Sequence, residues 1–278
     1  MKSLIAYAGE PGAFAEDAVI ATFGDVERTA VGSFRQVFEA VASANGSAAG
    51  VIPIENVANG TVRENYDLLL EHDVEIVGEV VVPVRLCLAA MPGQRLDDIE
   101  RVYSHIQALG QAEAFLRTRP WQLLTTYNTA GAGKSIAERE EGGAAAVLSP
   151  RAAALFGLEV LAEGIEDIPD NRTRFLVLAR PGEAAMRPGG GAPRTTLALA
   201  VRNEPGTLLA VLEVFARHGL NMSKLESRPS RERAWEYVFW VDLDADANAV
   251  ETRAALDELG GVTTMLRVLG TYPRGEGG

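Results

Sequence analysis

Residues 170–178 run Asp170-Asn171-Arg172-Thr173-Arg174-Phe175-Leu176-Val177-Leu178. An apolar run with β-branched and aromatic members reads as a buried strand, and the Asp-Asn pair ahead of it is turn chemistry. A hydroxyl, an amide and two guanidinium groups are thereby set at the rim of a strand rather than along a solvated helix. A surface turn with stray charges would read the same way, so the units around the hexamer decide.

Working outward, strand–loop–helix units recur. A strand at 3–9 leads through Glu10-Pro11-Gly12 into a helix at 13–23, with Pro and Gly at its entry. A strand at 27–31 precedes a helix at 33–44 capped by Ser33. A strand at 49–54 precedes the loop 55–60 and a helix carrying Val62, Tyr66, Leu69 and Leu70. The valine-rich stretch 74–90 reads as one extended or broken strand. The pattern resumes with strands at 101–103, 123–127 and 144–148. Their helices carry Leu109, Ala112, Phe115 and Leu116, then run through Glu140, then from Ser149-Pro150 to Phe156, where Gly157 closes the last. Such alternation predicts a mainly parallel sheet covered on both faces. Residues 181–193 form a Pro/Gly-rich linker. Beyond it the order strand, helix, strand, strand, helix, strand is the ferredoxin-like split motif.

The length of 278 residues fits about two domains. A net charge of -12 disfavours nucleic acid and anionic membrane as partners, so a site for an anion must reverse the sign locally. The lone Cys87 excludes an internal disulfide framework and fits a reducing compartment. No apolar run is long enough for a signal peptide or a membrane span, so a soluble cytoplasmic protein is expected. His72, His105 and His218 are scattered without ligand spacing, and neither a metal nor a cofactor is expected. Gly131-Ala132-Gly133-Lys134-Ser135 ends like a phosphate-binding loop, but Asn128 stands where the leading glycine belongs. No Gly-x-Ser-x-Gly elbow supports acyl transfer.

In a parallel α/β sheet, loops leaving the carboxyl ends of strands gather at one edge, where helix starts point free N–H groups at anions. Four polar loops take that position: 9–12, 55–60, 104–107 and 128–133. With the entry at 171–174 they would ring a crevice suited to a small carboxylate. Ordinary capping is the alternative for each loop alone.

Assembled, these loops resemble prephenate dehydratase. Residues 7–14 are similar to the family's Gly-Pro-x-Gly opening, Pro53-Ile54-Glu55-Asn56 to its Pro-Ile-Glu-Asn motif, and Ser104-His105-Ile106-Gln107-Ala108-Leu109 to its Ser-His-Pro-Gln-Ala-Leu motif. Thr129-Ala130 and Asn171-Arg172-Thr173-Arg174-Phe175 supply the remaining two. The resemblance implies catalytic Thr173, Glu55 and Arg174, with substrate held by Asn56, Ser104, His105, Gln107, Thr129, Ala130, Asn171 and Phe175. Thr173 would donate a proton to the departing hydroxyl, and Glu55, its pKa raised by burial, is the rival proton source. Two positions depart from the family: Ile106 replaces a proline, and Arg85-Leu86 stand where many members carry a histidine.

The C-terminal part resembles the ACT regulatory module. Gly206-Thr207-Leu208, Asn221-Met222 and Glu226-Ser227-Arg228-Pro229 would bind L-phenylalanine as a feedback effector. The implied organisation is a periplasmic-binding-protein-like catalytic domain at 1–180, the linker at 181–193 and an ACT domain at 194–272. In the first, one lobe comprises 1–77 and 166–180, the other 78–165, each with a doubly wound sheet. A homodimer or homotetramer is implied. Arogenate as substrate, or a non-catalytic amino-acid sensor, are the alternatives.

Overall fold

A computed structural model describes residues 4–43, 46–183, 190–230 and 236–275. The opening of the first expected strand, the end of the 33–44 helix at Ala44, and linker residues 184–189 lie outside the described residues.

The first sheet collects β1 (Ile5–Ala8), β2 (Arg28–Val31), β3 (Ala49–Asn56), β4 (Gly60–Thr61), β5 (Glu75–Pro83) and, far along the chain, β11 (Arg172–Ala179), in the order β2-β1-β3-β11-β5 with β4 on β3. Helices α1 (Phe14–Phe23), α2 (Phe34–Ala42) and α3 (Arg63–Glu71) connect its strands. Ser33 caps α2 as its residue type predicts, its hydroxyl accepting from the Gln36 N–H. On α2, Val37, Phe38 and Val41 fall on one face and are fully buried, which ties this helix to the sheet.

The second sheet holds β6 (Cys87–Ala90), β7 (Arg101–Ser104), β8 (Gln122–Thr125), β9 (Ala144–Leu148) and β10 (Glu159–Glu163), ordered β10-β6-β9-β7-β8. Its helices are α4 (Ile106–Gln111), α5 (Glu113–Leu116), α6 (Thr129–Arg139) and α7 (Pro150–Leu155). The expected single helix over 109–116 breaks at Ala112, whose φ of -120° leaves the helical region.

The mainly parallel expectation is corrected to mixed sheets. β1 is parallel to β2 and β3, and β7 to β8 and β9, but β6 runs antiparallel to both β9 and β10. The valine-rich stretch is broken, not continuous. Its halves join different sheets, and the break at Val84–Leu86 is tied to the returning chain by Val84 N–H to the Asn171 carbonyl and Ile165 N–H to the Leu86 carbonyl, at 2.8 and 3.2 Å. β10 carried no sequence signal. It is a part-exposed edge strand with glutamates at both ends and a register shift between Val160 and Ala162, so no apolar run marks it.

The third sheet, ordered β13-β14-β12-β15, is wholly antiparallel and comprises β12 (Pro193–Ala200), β13 (Met222–Pro229), β14 (Tyr237–Leu243) and β15 (Met265–Pro273). With α8 (Thr207–Arg217) and α9 (Val250–Val262) it forms the expected β-α-β-β-α-β unit around Leu197, Leu199, Phe215, Val241 and Leu259. By compactness the described chain divides in two: the part up to His72 with Val80–Leu176, and Asp73–Glu79 with residues 177–275. The division falls after Glu79 in β5 and after Leu176 in β11. No helix among the described residues is long and apolar enough to cross a membrane.

Within the first unit, the loop after β1 meets the N-termini of α6 and α7. Gly12 has φ of 91°, and a Cβ there would lie 2.8 Å from that of Ala152, so only glycine fits. Ser149 Oγ donates to the Gly12 carbonyl. Glu16, on α1, accepts from the Gly12 N–H, Arg28 Nε and Arg151 Nη2, each at 2.7 Å. Burial pushes the Glu16 carboxyl up, but the bonds from Arg28, Gly12 and Arg151 outweigh it and hold it below the ordinary 4.5. Neighbouring Asp17 goes the other way, raised by burial despite Arg151, so acid-side stability is assigned to Glu16. A depressed folded-state value means stabilisation that is full above pH 4.5 and lost as pH falls through the lower folded value. Glu16→Gln should cost about 2 kcal/mol at pH 7 and flatten the acid limb of stability measured by urea melts between pH 3 and 7.

Candidate active site

The end of β3 delivers Asn56 to the sheet edge, and the turn after it fixes the side chain. Asn56 Oδ1 accepts from the Ala58 and Asn59 N–H groups at 3.0 and 2.9 Å, a local Asx arrangement. Gly60, with φ of 71°, reverses the chain so that β4 pairs back on β3. From the other lobe, Gln111 at the end of α4 also donates to Asn56 Oδ1, at 3.4 Å. With its oxygen so occupied, the amide's orientation is set. Its Nδ2 donates across to the returning strand: to Asn171 Oδ1 at 2.9 Å, the Arg172 carbonyl at 3.1 Å and Thr173 Oγ1 at 2.9 Å.

The consequence for Thr173 is chemical. Its oxygen accepts from an amide, so its own proton must point elsewhere, and no described residue accepts it. The hydroxyl is a donor in waiting, 8% exposed. Asn171 is fully buried and its Nδ2 has no partner among the described residues. Arg174 Nη2 donates to Glu55 Oε2 at 3.2 Å, with side chains 13% and 43% exposed. The Glu55 carboxylate thus stands partly in solvent against a guanidinium.

Other expected residues separate by what their groups already do. Ser104 is fully buried and its hydroxyl donates to the Val147 carbonyl at 2.6 Å, bracing β7 against β9. Phe175 and Ala130 are core side chains at 2% and 1% exposure. Gln107 is exposed, and its N–H donates to His105 Nδ1 at 3.3 Å, so the imidazole caps α4. Thr129 opens α6, where Asn128 Oδ1 caps the Gly131 N–H and leaves the Thr129 and Ala130 N–H groups at the free helix start. Glu10, from the loop after β1, accepts from Tyr127 Oη and Lys134 Nζ, both at 3.0 Å. The sequence reading missed Gln111. It lies one helical turn after Gln107, so the i, i+4 spacing from that motif was the available signal.

In the second unit, Gly206 (φ 87°) starts α8, and Thr207 Oγ1 donates to the Arg202 and Glu204 carbonyls. Gly206, Thr207 and Leu208 border an open pocket of about 220 Å³ together with Arg202, Tyr237 and Phe239. The remaining expected effector residues do not line it. Asn221 precedes β13 and Met222 begins it, while Glu226, Ser227, Arg228 and Pro229 follow along this edge strand.

A family model described as prephenate dehydratase matches residues 5–183, and one described as the ACT domain matches residues 195–261. The chain belongs to the prephenate dehydratase family. Among curated relatives, a bifunctional chorismate mutase/prephenate dehydratase of Aquifex aeolicus is 38% identical, covering 98% of this chain and 74% of its own. Arogenate dehydratase 1 of Petunia hybrida is 39% identical over 97% of this chain and 66% of its own. Among solved structures, prephenate dehydratase of Arthrobacter aurescens in complex with L-Phe superposes with a TM-score of 0.87 at 32% identity, covering 98% of this chain and 90% of that one. GqqA, described as a novel type of quorum-quenching acylase, superposes with a TM-score of 0.87 at 31% identity, covering 98% of each chain.

His105 sets a checkable protonation state. Burial lowers its pKa from the ordinary 6.5, and the capping bond needs Nδ1 unprotonated, so the folded ring is neutral with its proton on Nε2. NMR titration should give a His105 midpoint below 6.5, with ¹⁵N shifts of the Nε2–H tautomer.

Proposed function

We propose that this chain converts prephenate to phenylpyruvate with loss of water and carbon dioxide, under feedback by L-phenylalanine. The observation that carries the reaction is the Thr173 hydroxyl, held by Asn56 so that its proton is free to be given. Prephenate carries a ring hydroxyl, a ring carboxylate and a side-chain carboxylate. As the C–O bond breaks, Thr173 passes its proton to the leaving hydroxyl, which departs as water, the C–C electron pair of the ring carboxylate moves into the ring as carbon dioxide departs, and a proton from solvent restores the Thr173 hydroxyl. Aromatisation drives the step, so the protein's work is protonation and orientation.

A carboxylate about to leave as neutral carbon dioxide is held back by any cation beside it. Arg174, with the Thr129 and Ala130 N–H groups, therefore suits the side-chain carboxylate. Neutral His105, Gln107 and the Asn171 amide suit hydrogen bonds elsewhere on the substrate. Ser104 and Phe175 act from beneath, through the strands they brace. The domain limits proposed are 1–180 for catalysis, with lobes at 1–77 plus 166–180 and at 78–165, 181–193 for the linker and 194–272 for the ACT domain. We place the protein in the cytoplasm. We also propose a homodimer or homotetramer, an assembly supported by the exposed Leu225 on the edge strand β13.

Two other activities are weighed by name and by geometry. Arogenate differs from prephenate by an amino group in place of the keto oxygen, and the 39% identity to an arogenate dehydratase favours it as a second substrate. Acylase chemistry needs a nucleophile with a base to receive its proton. Thr173 instead faces an amide donor, and the Ser104 hydroxyl is spent on a carbonyl.

Thr173→Val keeps the shape and removes the donor. Its turnover, followed by phenylpyruvate absorbance, should fall by about 10² to 10⁴ with a folded circular-dichroism spectrum; a rate within a few-fold of the parent would remove Thr173 from the step. Supplying prephenate and arogenate in competition should yield mostly phenylpyruvate, and a product mixture dominated by phenylalanine would reassign the substrate.

A further inference from the structure

The connection that leads into the strand carrying Thr173 holds acidic side chains with no part in the chemistry proposed above. Residues 165–170 lie between β10 and β11, within the first unit. Irregular backbone of this kind is ordinarily the more mobile part of a fold. Here it is fastened along its length. At one end the Ile165 N–H donates to the Leu86 carbonyl at 3.2 Å, and just past the other the Val84 N–H donates to the Asn171 carbonyl at 2.8 Å. Asp167 ties the middle to the junction of α4 and α5. Its N–H donates to the Gln111 carbonyl at 2.7 Å, and its carboxylate accepts from the Ala114 N–H at 3.1 Å.

Glu166 is the innermost of these fastenings. Its side chain is 3% exposed and both oxygens are engaged: Oε2 accepts from the Leu86 N–H at 2.9 Å, and Oε1 from Arg85 Nη1 at 3.0 Å. Leu86 is fully buried in the break between β5 and β6, so its N–H takes this side-chain oxygen in place of a ladder partner. The same Arg85 nitrogen also donates to the Pro169 carbonyl. One nitrogen thus holds the connection at two points, while the Arg85 side chain stays 55% exposed. A buried carboxylate is costly unless charge and hydrogen bonds meet it, and Glu166 is met by both. Asn171 and Thr173 follow at once, and their side-chain oxygens share Asn56 Nδ2.

We infer that Arg85 and Glu166 are positioning residues for the donor hydroxyl: they fix residues 166–170 so that Asn171 and Thr173 meet the one Asn56 amide together. The inference rests on the dehydratase reading above. Neither side chain bonds to Asn56, Asn171 or Thr173 among the described residues, so the effect passes through the backbone between them. Hydrogen bonds weaken quickly once distance and angle leave their preferred range, and a misplacement of about 1 Å at a reacting group can cost about 10²-fold in rate. Binding of the substrate, spread over several other groups, is the less sensitive quantity.

The test compares Arg85→Met, Arg85→Lys and Glu166→Gln with the parent by prephenate turnover and by the NMR signals of the Asn56 side-chain amide. Arg85→Met keeps the exposed stem and removes both bonds. Its kcat should fall about tenfold or more with KM within about threefold of the parent, and the Asn56 amide signals should move. Because both bonds leave from one nitrogen, the single ammonium of Arg85→Lys can stand in for it and should bring kcat back to within about threefold of the parent. Glu166→Gln offers one acceptor to two donors and should lose at least as much kcat as Arg85→Met; if it does not fold, the two Arg85 variants decide. A merely structural role would lower the melting temperature and leave kcat per folded molecule and the Asn56 signals at the parent's values, and that result overturns the inference. So does a raised KM with kcat preserved. A parent without prephenate turnover overturns the dehydratase reading instead, and the Asn56 signals then decide the positioning alone.

Discussion

The structure depends on one side-chain amide. Asn56 is almost wholly buried, and each of its polar atoms is engaged: the oxygen by two backbone N–H groups and Gln111, the nitrogen by three oxygens of residues 171–173. A buried amide left half-paired costs about 1–3 kcal/mol, so the end of β3, the entry to β11 and the end of α4 are held in one geometry by a shared requirement. That geometry also decides chemistry. An amide nitrogen can only donate, so the threonine oxygen it touches accepts, and the threonine proton points away from Asn56.

The same economy appears where the two lobes meet. Glycine at position 12 lets the loop after β1 press against Ala152, and Glu16 gathers two arginines and a backbone N–H into one buried cluster. Burial alone would raise the pKa of that carboxyl; three donors hold it down. Glu55 shows the contrast. Exposed and facing Arg174, it meets solvent on one side and a guanidinium on the other.

Local signals made much of this legible. Period and caps located α1, α2, α6 and the whole β-α-β-β-α-β unit, since burying one face of each element imposes a pattern on its residues. The rim of β11 announced itself by placing Asn171, Thr173 and Arg174 before an apolar run. Other features had no local signal. β10 is an edge strand whose pairing partner, not its composition, makes it a strand. The antiparallel course of β6 follows from where the chain returns, and Gln111 becomes a site residue only because α4 faces β3 across the lobes. Thus the sequence by itself determined which segments are strands and helices, and which residue types reach the sheet edge, because those depend on neighbours within a few positions. Only the tertiary structure decided that Thr173 accepts from Asn56, that Ser104 is spent on Val147 and that Glu55 stands exposed, because a hydroxyl or carboxylate takes its partners from groups that are near in space and remote along the chain.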